Sequence, residues 1–306
     1  MKILRGIVYE VIVCLFFCVA AQTQGTDDFY GMHCGNDTDV PKSLPVLKDL
    51  GVKWVRLWAD IDWATQKEHG AFQKAREYHA AGYSVILLVS QQAVPTYQQV
   101  YDYLTWAVLQ PGMKDAVDIW EILNELNVNN NFIDTSSGKY WKGGASSYVT
   151  DVLKPAWDVL HPLGEKVLGA SFTAWQWNGS AWATGTWQVQ PVVDAGYLDY
   201  CDFAGIHPYT KSVSEQIGIV DSCLSKYGSK PVLISEYNFK ALPDWNEWAR
   251  SLNEVRLQLQ SKVARICYYR LLESSGEGGW PGIVKRDYTP QQPFYDMYKN
   301  WPKAGS

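Results

Sequence analysis

The sequence predicts an α/β fold, a closed (β/α)8 barrel of the TIM type in a single domain. Strand-like and helix-like runs alternate eight times along the chain. The strand-like runs are apolar almost throughout, as parallel strands buried on both faces must be. About 280 residues follow a short leader, which suits eight such units at a typical size of ~250 residues. An open doubly wound sheet is the rival. It calls for a glycine-rich phosphate turn after its first strand, and Met32-His33-Cys34-Gly35 is not one.

The elements follow in order. Residues 29–33 form a short strand, 41–50 a helix closed by Gly51, and 53–58 the second strand. A helix over 71–81 ends at Gly82, and 83–90 is a long apolar strand. Residues 97–109 have helical spacing and stop at Pro111-Gly112, before the fourth strand at 119–124. A helix over 148–160 is stopped by Pro162 and Gly164, and strand 166–170 and a short helix over 191–198 come next. Strand 202–206 runs into His207-Pro208-Tyr209. Helix 213–227, strand 231–235, helix 246–259, strand 265–271 and helix 293–300 complete the chain.

Residues 1–21 stand apart. Lys2 and Arg5 precede an apolar run over 11–19, and Ala20-Ala21 supply small residues for cleavage. This is a secretory signal pattern, shorter than the ~20 apolar residues a membrane span requires. The expected product is a secreted domain over 22–306, monomeric and free of the membrane. A net charge of -5 with 19% charged residues gives no sign of a nucleic-acid partner.

Four cysteines remain beyond the leader: Cys34, Cys201, Cys223 and Cys267. They permit three pairings. Cys201 opens a strand and Cys223 closes the helix after it, so this pair is the first choice for a bridge; four buried thiols are the alternative. No CxxC or HExxH spacing appears, so no metal is expected. Acceptor triplets for N-glycosylation at Asn36 and Asn178 are read as silent.

Two strands share one design. The runs 119–124 and 231–235 are apolar and exit into Asn124-Glu125 and Glu236-Tyr237. A carboxylate at the mouth of a buried strand is costly unless it is hydrogen-bonded or used. In a (β/α)8 barrel the C-terminal strand ends converge on one site, which gathers Arg56, Trp58, Asn124, Glu125, His207, Tyr209 and Glu236 there, with Trp280 from the last loop. Two glutamates ~5–5.5 Å apart fit a retaining glycosidase, one as nucleophile and one as acid/base. Hydrogen bonds from Arg56 and Tyr209 favour an ionised Glu236, and Asn124 is placed to hold a sugar hydroxyl.

Bland readings stand beside these. Glu125 alone reads equally as a structural ion pair and His207 as a core histidine. Glu121 alternates with Asn124's face, pointing either into the barrel or toward a helix, and reads as structural, paired with a basic residue. Asp60 and Asp62 line the cleft or cap the next turn; His33 is undecided. The loop with Trp175, Trp177, Trp182 and Trp187 reads as a sugar platform or a packed cluster, one or two rings stacking on sugar. Tyr140 and Trp141 are weaker candidates.

The motif Trp120-Glu121-Ile122-Leu123-Asn124-Glu125 resembles the strand-four signature of glycoside hydrolase clan A, a superfamily of retaining (β/α)8 enzymes. Leu233-Ile234-Ser235-Glu236-Tyr237 resembles its strand-seven signature, Ile206-His207-Pro208-Tyr209 its strand-six motif, and Trp54-Val55-Arg56-Leu57-Trp58 its strand-two motif. Residues 282–295 resemble the ending many members carry. The resemblance implies Glu125 as acid/base, Glu236 as nucleophile and Arg56 as the nucleophile's support. Leu126 stands where members often carry proline, Ser90-Gln91-Gln92 where some carry histidine, and Tyr268-Tyr269-Arg270-Leu271 where tryptophan is common, with Trp280 as its replacement. The family within the clan is open, near families five, thirty-nine or one hundred and twenty-eight. The implied activity is retaining hydrolysis of a β-linked polysaccharide such as a glucan or mannan, endo-acting, with no cofactor. An exo-β-glycosidase and a non-catalytic glycan-binding barrel are the alternatives.

Overall fold

Eight parallel strands close on themselves, each paired with its neighbours in chain order and the first with the last. They are β1 (Tyr30–His33), β2 (Trp54–Asp60), β3 (Ser84–Ser90), β4 (Ile119–Asn124), β5 (Lys166–Thr173), β6 (Phe203–His207), β7 (Val232–Tyr237) and β8 (Arg265–Tyr268). This computed structural model describes residues 29–90, 94–128, 143–177, 181–186, 188–239, 244–274 and 281–301. The leader at 1–21, Tyr140, Trp141, the Asn178 triplet, Trp187 and Trp280 lie outside the described residues, as do the side chains of Trp177 and Trp182.

Local chemistry starts the helices where the sequence places them. Asp39, Thr96, Ser212 and Asp244 each cap a helix N-terminus by accepting from a backbone N–H three residues on, and Thr96 pairs with Gln99 in a capping box. Among the described residues no helix is long and apolar enough to cross a membrane. Two features depart from the sequence reading. The helix expected over 148–160 begins as wide π turns, Tyr148–Leu153, before the α-helix Lys154–Leu160. A hairpin, Trp175–Trp177 with Trp182–Thr184, follows β5.

The barrel interior has two characters. Trp54, Ile86, Ile119, Leu168, Leu233 and Cys267 form one apolar layer that plugs it. Nearer the C-terminal mouth, the side chains of Arg56, Glu121, Ser171 and Ser235 are fully buried and polar. A larger apolar cluster fills the space between strands and helices.

Three breaks in strand alternation bring these polar groups inside. From Leu168 to Ser171, β5 spends three residues where β6 spends two, Phe203 to Gly205, so one extra residue is accommodated. Such a bulge turns the next side chain to the other face, and Ser171 points inward. Likewise β7 advances from Ile234 to Tyr237 while β8 advances from Ile266 to Tyr268. Consecutive residues Ser235 and Glu236 can therefore both face the interior. On β4, Leu123 has φ 66°, a left-handed conformation, and Glu121 and Asn124 both turn inward. Of the two directions open to Glu121, into the barrel or toward a helix, the structure shows the first.

Buried tyrosines make up the hydrogen bonds missing at the β5 bulge. Tyr148 Oη accepts from Ala170 N (2.7 Å) and donates to Ile122 O (3.0 Å). Tyr197 Oη accepts from Gly205 N (3.1 Å) and donates to Ala170 O (3.2 Å). Each phenol thus joins two strands where the ladder is irregular, which buried amides and carbonyls require.

The bridge expected between Cys201 and Cys223 is not formed; Cys34, Cys201, Cys223 and Cys267 are free buried thiols. Cys201 donates to Tyr197 O. Cys223 sits inside the helix Val213–Tyr227, a turn short of its end. Burial pushes each thiol up to about 12.

A Cβ at Gly205 would meet Ser171 Oγ at 2.2 Å and Ser171 Cα at 2.8 Å. Gly205→Ala is expected to destabilise the fold by at least about 1–3 kcal/mol through overpacking. Gly218, in an exposed turn of a helix, would meet nothing within 4 Å. Gly218→Ala should add about 0.5–1 kcal/mol. Urea unfolding of both variants beside the parent checks the contrast.

Candidate active site

Arg56 rises from β2 into the centre of the mouth. Its Nε donates to Glu121 Oε2 (2.5 Å), Nη1 to Glu236 Oε1 (2.6 Å), and Nη2 to Asn124 Oδ1 (2.9 Å). Nη1 also lies 3.1 Å from His33 Nδ1. Burial, reinforced by the Arg56 charge, lowers the His33 pKa to about 3, so His33 is neutral and accepts this bond. Glu121 was read as structural with a basic partner, and Arg56 is that partner. Because Asn124 Oδ1 is taken by Arg56, its amide hydrogens are the donors left for a ligand.

Glu236 is held by both oxygens. Arg56 binds Oε1, and Tyr209 Oη donates to Oε2 at 2.6 Å. Burial by itself raises this carboxyl, but the positive neighbours and the Tyr209 hydroxyl outweigh it and pull the group well below 4.5. Glu236 is therefore ionised throughout the neutral range.

Glu125 follows β4 with φ 44°, its N–H donating to Ser171 O at 2.9 Å. A left-handed non-glycine residue costs on the order of 1–3 kcal/mol and persists where its surroundings over-determine it. Asn127 supplies part of that constraint, exchanging two hydrogen bonds with the Thr173 backbone at 2.9 and 3.0 Å. The Glu125 side chain is 22% exposed, against 6% for Glu236. His207 Nδ1 lies 2.8 Å from Glu125 Oε1 and 3.8 Å from Glu236 Oε2. One carboxylate oxygen of each glutamate and a His207 ring nitrogen all fall within 4.8 Å of one another.

Such a trio has the donor chemistry of a divalent-cation site. Here Arg56 already sets a fixed positive charge 2.6 Å from Glu236, where a cation would be repelled. The set suits two carboxylates working as acid and base better than it suits a metal.

The other expected residues among those described fall at or near the mouth. Trp58 is half-buried, its indole N–H donating to Asp60 Oδ1 at 2.8 Å. Asp62 caps the following turn by accepting from Ala64 N. Trp175 stands in the hairpin after β5 with Lys211 Nζ 5.4 Å from its ring centre. Beyond β8, Tyr269 packs 5.0 Å from His33 and 6.3 Å edge-on from Tyr209, walling the Glu236 side. Trp280, which the sequence reading put there, lies outside the described residues. Ser171 and Ser235 also join the site and were not singled out, because a serine inside a strand carries no signal of its own.

No protein-family model matches the chain, and no curated protein matches it. Solved structures do. The chain is similar to a GH128 subgroup II endo-β-1,3-glucanase from Sorangium cellulosum, with TM-score 0.65 and 13% identity over 90% of this chain and 99% of that one. It is similar to a β-glucosidase from Exiguobacterium marinum, with TM-score 0.62 and 14% identity over 89% and 97%. It is also similar to the catalytic domain of a mannanase from Streptomyces sp. SirexAA-E, with TM-score 0.57 and 14% identity over 90% and 84%. At these identities the likeness establishes the barrel fold.

Arg56→Met leaves Glu121 and Glu236 without their buried countercharge, and the expected loss is about 3–5 kcal/mol at neutral pH. The parent's Glu236 has a lowered pKa, so its contribution is complete above the ordinary carboxylate value and fades as pH falls through the folded one. The gap between parent and variant should therefore narrow on acidification. Urea titrations near neutrality and in mild acid measure that gap.

Proposed function

We propose that the chain is a retaining β-glycoside hydrolase, with Glu236 as nucleophile and Glu125 as acid/base. The supporting observation is the carboxylate geometry: oxygens of the two glutamates within 4.8 Å across the barrel mouth. Retaining enzymes hold their carboxyls ~5–5.5 Å apart, and inverting enzymes need ~6.5–9.5 Å to admit water between them. The two environments support the division of roles. Glu236 is buried, ionised and fixed by Arg56 and Tyr209, as a nucleophile must be. Glu125 is more exposed and lies 2.8 Å from a His207 ring nitrogen, which suits a group that gives and retakes a proton.

In the first step a Glu236 oxygen bonds to the anomeric carbon. The glycosidic C–O bond breaks, and Glu125 passes its proton to the departing oxygen. In the second, Glu125 takes a proton from water, the water oxygen attacks the same carbon, and Glu236 leaves. Two displacements restore the original configuration. Asn124, with its carbonyl end held by Arg56, offers its amide hydrogens to a sugar hydroxyl beside the reacting carbon.

The substrate reading is a β-linked glucan or mannan. The similar structures, named for β-1,3-glucan, β-glucoside and mannan activities, support it. Half-buried Trp58 and Trp175 near the mouth support binding over several sugars, hence endo action. The β-glucosidase among the similar structures keeps exo action as the second reading. The leader pattern at 1–21 supports export, and no partner beyond the glycan is invoked.

Reducing-sugar release from a panel of β-glucans and mannans tests the activity, and product lengths separate endo from exo action. Glu236→Ala should end turnover. Glu125→Ala should lose about 10²–10⁴-fold on natural leaving groups, the range of acid–base catalysis, and much less on activated aryl glycosides. NMR of fresh products should show the β-anomer first. Silence across the panel with tight binding to one glycan would instead identify a binding barrel.

A further inference from the structure

Behind His207 lies a cluster of three oxygens. Glu121 Oε1 accepts from Ser171 Oγ at 2.9 Å and from Ser235 Oγ at 2.8 Å, and the two hydroxyl oxygens are 2.7 Å apart. His207 Nε2 lies 2.9 Å from Ser235 Oγ. Glu121, Ser171, His207 and Ser235 all come from strands, and all four are fully buried. Gly205 leaves the room Ser171 needs.

A count of protons decides the state of the ring. The triangle has three short sides and only two hydroxyl hydrogens, because Glu121, bound through Oε2 to the buried Arg56, only accepts. If Ser235 turned its hydrogen to His207, only the Ser171 hydrogen would serve the triangle. Two short oxygen–oxygen contacts would then have none. If His207 donates from Nε2, both serine hydrogens stay within the triangle. We propose that the Glu121–Ser171–Ser235 triangle holds His207 protonated on Nε2, so that Nδ1 is the atom that shares a proton with Glu125, and that Ser171 and Ser235 are positioning residues for the acid/base step.

The 2.8 Å contact between Nδ1 and Glu125 Oε1 needs a hydrogen as well. With Nε2 already protonated, that hydrogen is either on Glu125 or on Nδ1. A proton crossing from Oε1 to Nδ1 makes a carboxylate and an imidazolium, and breaks no other bond. The groups facing the ring are Glu125, Glu236 Oε2 at 3.8 Å, Ser235 Oγ at 2.9 Å and the Tyr209 ring at 5.9 Å.

The proposal rests on the acid/base reading of Glu125, but its first test does not. Long-range ¹H–¹⁵N spectra of the full chain with ¹⁵N-labelled histidine report which ring nitrogen carries hydrogen without any substrate, and His207→Gln assigns the signal. A protonated Nε2 is expected. A bare Nε2 beside a protonated Nδ1 would overturn the proposal whatever the activity. The second test is kinetic. Ser235→Ala should lower kcat about tenfold or more on natural leaving groups and far less on activated aryl glycosides, and Ser235→Thr should restore most of the loss. An equal loss on both substrate types would make Ser235 merely structural. Absence of hydrolysis in the parent would overturn the glycosidase reading while leaving the spectra interpretable.

Discussion

A guanidinium in the middle of a barrel has to have its charge and its directed hydrogens answered within a few ångströms, because water is not there to do it. Arg56 is fully buried, and Glu121, Glu236, Asn124 and His33 answer it from three other strands. Its planar fork allows little freedom in where those partners stand. One residue on β2 therefore sets the position and charge of Glu236, the orientation of the Asn124 amide and the neutrality of His33. It also anchors Glu121 behind them.

The polar layer is obtained by disturbing the strands, and the disturbance is confined. The inner plug of Trp54, Ile86, Ile119, Leu168, Leu233 and Cys267 holds regular register at one end. Extra residues in β5 and β7 and left-handed backbone at Leu123 and Glu125 fall toward the mouth. Each irregularity turns one more polar side chain inward than strict alternation allows. Tyr148, Tyr197 and Asn127 bond the backbone at those places.

Much of this was legible in the sequence. Eight apolar runs separated by helical spacing specify the barrel, and Glu125 and Glu236 declare themselves as lone carboxylates at the ends of such runs. Arg56 and Tyr209 follow from the geometry of strand ends. Strand parity is where the reading stopped. Alternation left Glu121 pointing into the barrel or toward a helix, and a single left-handed residue, Leu123, lets it share the inner face with Asn124. Ser171 and Ser235 were invisible because a bulge, rather than their spacing, brings them inward. Tyr269 was not singled out, since tyrosine beside tyrosine gives no sign of which ring faces the mouth. Proximity of Cys201 and Cys223 to one end of the layer said nothing about where their sulfur atoms point.

Those sulfur atoms have a consequence of their own. The thiolate is the form that attacks a disulfide or reacts with an oxidant. Burial holds all four thiols of the described chain near 12 and leaves each at most 1% exposed. At neutral pH almost none of that sulfur is ionised, and none of it can be reached without opening the fold. The folded barrel should be indifferent to the redox potential around it, its stability carried by packing and hydrogen bonds with no covalent cross-link to make or lose.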